Sequence, residues 1–93
     1  MTEKFKDLPV EADTQIMVST EAKIGAYEVV YQKWRWDGIN AESIIFLNDD
    51  VAALSEAQIK DEVAQCRALV NEDSQFTFKK GERYTFVNFN FKT

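Results

Sequence analysis

Acid–base and nucleophilic chemistry needs ionisable side chains in partnership, and this chain offers sixteen carboxylates, one cysteine and no histidine. The missing imidazole removes the commonest general base, the serine triad and most transition-metal sites. Cys66 falls on the expected buried stripe of a helix and has no histidine to activate it. Reactive thiols sit in exposed, electropositive settings, so Cys66 reads as a small core residue. Asp49 and Asp50 precede a helical region and Asp61 and Glu62 lie within one; acids before a helix favour its positive end, which accounts for the first pair. No further oxygen ligands are spaced to complete a divalent-cation site, and no Gly-rich phosphate loop, CxxC or calcium-loop pattern occurs. The sequence therefore assigns no catalytic residue, no cofactor and no metal.

Binding chemistry is better represented. Trp34-Arg35-Trp36, with Tyr31 and Lys33 nearby, gathers the residue types enriched at binding hot spots. Together with Ile39, Tyr84 and Phe86 they form the candidate interaction surface. Two readings stand for the tryptophans: a contact surface at a hairpin tip, or packing over the sheet or under the N-terminal segment. Asn88 and Asn90, beside Tyr84 and Phe86, are candidates to line a small polar–apolar pocket. Duplex nucleic acid is excluded as a partner, because the net charge is −5 and the eleven basic residues are scattered. Mimicry of nucleic acid fails as well. Duplex DNA carries one charge per roughly 1.7 Å of axis, far denser than this chain.

The elements that must position these residues can be read in order. With 93 residues and 45% hydrophobic composition the chain makes a single domain, small enough for oligomerisation to matter. One proline and three glycines argue against a disordered chain. Residues 1–12 are expected to be partly flexible, tied down at most by Phe5, Leu8 and Val10. Thr14–Thr20 alternates as a first strand with Ile16 and Val18 on one face, and Glu21–Lys23 is the expected turn. Ile24–Trp36 and Ile39–Asn48 flank Asp37-Gly38, whose type I′ turn sets Trp36 opposite Ile39, Lys33 opposite Glu42, Tyr31 opposite Ile44, Val30 opposite Ile45 and Val29 opposite Phe46.

Asp49–Ala53 reads as a short helical turn. Ser55 and Gln58 make a capping box, with Leu54 and Ile59 as its hydrophobic staple. From Glu56 to about Val70 the stripe Ile59, Val63, Cys66, Val70 predicts an amphipathic helix, ended by Asn71. Ser74–Phe91 then closes the chain as a hairpin turning at Lys80-Gly81-Glu82. Alternation puts Phe76, Phe78, Val87, Phe89 and Phe91 on one face, under the helix. Thr77, Lys79, Tyr84, Phe86 and the two asparagines take the other.

The expected fold class is α+β: an antiparallel sheet of about five strands, ordered β-β-β-α-β-β along the chain, with one amphipathic helix packed on one face. One helix covers one side, yet three strands are apolar on both. The N-terminal segment, strong curling towards a half-barrel, or a second copy of the chain could cover the other, and the last is preferred. The functional expectation is a non-enzymatic protein-interaction module of the inhibitor, immunity or accessory-subunit type, self-associating as a homodimer through the second face. The alternative is a small-molecule binder with an apolar pocket between curved sheet and helix. With one cysteine, no membrane-length apolar run and no signal peptide, a cytoplasmic setting without membrane partners is expected.

Overall fold

The computed structural model describes residues 3–6, 8–9, 12–65 and 75–92. A 3₁₀ turn at Glu3–Phe5 is followed by strands β1 (Thr14–Ile24), β2 (Tyr27–Trp36) and β3 (Ile39–Leu47). Helices α1 (Asn48–Val51) and α2 (Glu56–Ala64) come next, then β4 (Phe76–Lys80) and β5 (Tyr84–Lys92). The expected extension of α2 through Cys66 to Val70, its Asn71 cap and the Glu72-Asp73-Ser74 lead-in lie outside the described residues. All neighbouring strands are antiparallel, in an open sheet of order β1-β2-β3-β5-β4. The α+β class and the five-stranded antiparallel sheet are as expected.

Two turns set the first three strands. At Asp37 and Gly38 φ is +50° and +77°, the doubly positive pair a type I′ turn needs. The register follows as expected from that turn: Trp36 pairs with Ile39, Lys33 with Glu42, Tyr31 with Ile44 and Val30 with Ile45. The preceding turn differs from the reading at Glu21–Lys23. Those residues continue β1, and the chain reverses at Gly25-Ala26, where Gly25 has φ +57°. Glycine supplies that conformation without steric cost, whereas the Glu-Ala-Lys run has no such residue. A side chain at Gly25 would also press on Glu62 of α2, only 3.2 Å from where a Cβ would stand.

Two bulges then break strict alternation. Between Ile16 and Val18 the β1–β2 register shifts, leaving Met17 without an opposite residue. Ile16 pairs with Trp34 and Val18 with Lys33, so the two apolar residues expected on one face stand on opposite faces. The second bulge lies in β5, where Asn40 pairs with Lys92 but Glu42 with Phe89. Asn90 has φ +56°, a left-handed conformation asparagine tolerates better than most residues. Phe91 consequently leaves the helix side; it is 42% exposed and meets Trp34 edge-on, ring centres 6.2 Å apart. The expectation that Phe91 lies under the helix is corrected by this bulge.

The helix side is the main core. Ile59 and Val63 of α2 pack with Ile24, Val29, Ile44, Phe46, Val51, Val87 and Phe89, and Leu54, Phe76 and Phe78 close its margin. Ser55 caps α2 as the sequence predicts: its Oγ accepts from the Gln58 amide and its amide donates to Gln58 Oε1. Such a cap stabilises a helix by about 1 kcal/mol.

On the second face, the cover over the base comes from the N-terminal segment. Phe5 is 1% exposed and stacks on Tyr84 at 5.9 Å, in a cluster with Val30 and Ile45 that Leu8, Leu47 and Phe86 border. Tyr84 Oη donates to the Lys4 carbonyl at 3.1 Å, and Lys4 pairs with Glu28 at 2.9 Å. Phe5 and Leu8, two of the three residues expected to tie this segment down, hold it to the sheet; Val10 lies outside the described residues.

Candidate interaction surface

The seven residues of the candidate surface do not form one patch. Because side chains alternate along β2, Tyr31 and Arg35 project on the helix side while Trp34 and Trp36 project on the second face. Tyr84 is 3% exposed beneath Phe5, so its ring is core packing rather than open surface. Trp34, Trp36, Ile39 and Phe86 remain together. Ile16 and Phe91 join them through the two bulges. This band lies on the second face with Phe86 bordering the Phe5 cluster at one end, and Trp36 at the other end, the tip, is 46% exposed.

A row of polar residues runs beneath the band, one from each strand. In register these are Ser19, Gln32, Ser43, Asn88 and Thr77. Gln32 Nε2 donates to Ser19 Oγ at 3.3 Å, Trp34 Nε1 to Ser43 Oγ at 2.7 Å, Ser43 Oγ to Asn88 Oδ1 at 2.5 Å, and Asn88 Nδ2 to Thr77 Oγ1 at 3.3 Å. Such a network holds the Trp34 indole against the sheet and orients each amide. Beside it opens a hollow of about 230 Å³, lined by Ile16, Gln32, Trp34, Ser43, Phe86 and Asn88, with Pro9, Thr14, Lys79 and Gly81 at its margin. The hollow does not lie under the described part of α2. That space is filled by Val29, Ile44, Phe46, Val87 and Phe89, and the hollow lies on the opposite face.

Of the asparagines expected near such a pocket, Asn88 lines it. Asn90 instead donates to Glu42 Oε2 at 2.6 Å. Gln32 and Ser43 were not singled out from sequence, although the Asp-Gly register sets them directly opposite each other as the one neutral polar pair in an apolar stretch. That pairing was the available signal. Ile16 and Phe91 carried none, because neither bulge is marked by a glycine.

Tyr31 has its own environment on the helix side. Its hydroxyl donates to Glu42, the carboxylate that also receives Asn90. Burial, then this hydrogen bond and the carboxylate's charge, raise the Tyr31 phenol above its ordinary value. A folded-state pKa above the unfolded one gives stability that is complete below the unfolded value of about 10 and is lost as pH rises towards the folded one. The stability difference between the wild type and Tyr31→Phe should thus hold steady through neutral pH and shrink once pH passes about 10. Urea unfolding at neutral and at strongly alkaline pH checks this; an unchanged difference would mean the phenol ionises alike in both states.

Among the described residues no three His, Cys, Asp or Glu side chains come together as a metal site, and no helix is long and apolar enough to cross a membrane. No family model, curated protein or solved structure matches the chain.

Proposed function

We propose that this chain is a non-enzymatic protein-interaction module, of the inhibitor, immunity or accessory-subunit kind, that pairs with a second copy of itself through the open half of its second sheet face. One observation carries the reading. Trp34, Trp36, Ile39, Ile16 and Phe91 gather at the tip of the second face, with Trp36 and Phe91 exposed, away from the base that Phe5 covers. Contiguous apolar patches of this kind on small proteins mark contact sites. The charge pattern supports self-association in particular: among the described residues no Asp or Glu lines the hollow, and Lys79 is the one charged residue that does. Two acidic molecules can thus approach here with little direct repulsion. A cytoplasmic setting goes with the reading, since the chain has one cysteine and no internal disulfide to depend on oxidation.

A small-molecule reading draws on the same hollow and its polar row. Its volume, about 230 Å³, falls below the roughly 300–1,000 Å³ of ligand pockets and suits a guest of side-chain size. Protein contact is therefore preferred. Sedimentation velocity over a wide concentration range tests the proposal: the wild type should shift reversibly from monomer to dimer, more readily at higher salt as the remaining charge is screened. A monomer at every concentration would remove self-association and leave the small-molecule reading in front.

A further inference from the structure

Two hydrogen-bonding groups on the second face have no partner among the described residues, and they are complementary. Gln32 is 7% exposed and gives its amide nitrogen to Ser19. Its Oε1 accepts from none of the described residues, yet no buried side-chain oxygen or nitrogen among them is sealed off without a partner. The oxygen is therefore reachable, and the hollow that Gln32 lines is the way to it. An acceptor so nearly enclosed calls for a donor that brings its own apolar body, because the walls around it are Ile16, Trp34 and Phe86. Among the described residues, Trp36 offers such a group in the open. Trp36 presents a half-exposed indole whose N–H has no partner among the described residues, unlike that of Trp34, which is held by Ser43.

We infer that Trp36 of one copy enters the hollow of the other, its indole N–H donating to the partner's Gln32 Oε1 and its ring seated between Trp34 and Phe86. The inference rests on the self-association proposed above and names its anchor. Geometry allows the exchange to be mutual. Trp36 stands four residues along β2 from Gln32, roughly 13 Å at about 3.3 Å per residue. A two-fold axis lying parallel to the sheet, across the strands at the level of Trp34, brings each Trp36 over the other copy's Gln32. The two hollows then fill together, as an isologous interface requires. Stacked sheets stand about 10 Å apart, a gap that a large aromatic side chain bridges.

The experiment measures dimer affinity by sedimentation equilibrium for the wild type, Trp36→Phe, Trp36→Ala, Gln32→Met and the Trp36→Phe/Gln32→Met pair, with thermal unfolding as the check on folding. Trp36→Ala should weaken association at least about 100-fold, as loss of a seated aromatic anchor does. Trp36→Phe keeps the ring and loses the donor, and Gln32→Met keeps the volume and loses the acceptor; each should weaken it about 3- to 10-fold. The double variant should be no weaker than either single one, since both remove the same bond. Fully additive losses would overturn the hydrogen bond. A Trp36→Ala protein that dimerises like the wild type would overturn the anchor while the self-association reading stands. A wild type that stays monomeric would remove both.

Discussion

Replacing Phe5 by alanine should destabilise the fold by about 3–5 kcal/mol, the usual cost of emptying a buried phenylalanine site. Phe5 caps the base of the second face, 1% exposed and stacked on Tyr84, with Val30 and Ile45 in the same cluster. Small domains are held by roughly 0.05–0.15 kcal/mol per residue, so this loss is a large share of the total. Phe5→Leu retains most of the apolar volume and should cost much less. Urea unfolding of the three proteins measures it. A loss below about 1 kcal/mol for Phe5→Ala would mean that the N-terminal segment rests on the sheet without forming part of its core. The expected result also bears on function. Without Phe5, the apolar base joins the open band of Trp34 and Trp36, so the variant should aggregate where the wild type associates reversibly.

Phe5 illustrates what a linear reading misses. Its ring partner lies 79 positions away, and nothing local to either residue announces the contact. Where structure is set locally, the sequence was legible: Asp37-Gly38 dictated the β2–β3 register, and Ser55 with Gln58 started α2. The need for a second cover also emerged correctly, from apolar residues on both faces of the strands. The N-terminal segment stood among the three candidate covers but was not the preferred one, because a short charged segment bearing Phe5 and Leu8 has no periodicity to mark it. Failure at the candidate surface had a different physical origin. Alternation assigns faces reliably only until an extra residue intervenes, after which every side chain beyond it reverses. Met17 and Asn90 are two such residues, and both reversals feed the same band, delivering Ile16 and Phe91 beside Trp34. Tyr31 was grouped with the tryptophans by nearness in sequence, although odd and even positions of one strand cannot share a face. The hydroxyl that it turns towards Glu42 belongs to the helix side.

The Asn90 bulge carries the second prediction. Phe89 and Phe91 are two residues apart in one strand and would share a face in any regular strand. Phe89 is instead fully buried against Val63, Val87 and Phe76, its ring 5.8 Å from that of Phe76, while Phe91 stands partly open against Trp34. Phe89→Ala should cost about 3–5 kcal/mol, and Phe91→Ala about 1 kcal/mol or less. Association should respond in the reverse order: Phe91→Ala should weaken the dimer while leaving the monomer folded, because Phe91 borders the contact band. Equal losses of stability would show that β5 runs regularly, with both rings under the helix. Asn90→Gly probes the cause directly. Glycine accepts φ of +56° more readily than asparagine but cannot reach Glu42, so the bulge should persist while the bond to Glu42 is lost. Asn90→Val opposes that conformation and should be the more damaging, by roughly 1–3 kcal/mol. The ordering of these two variants separates the backbone conformation at residue 90 from its hydrogen bond as the device that turns Phe91 towards Trp34.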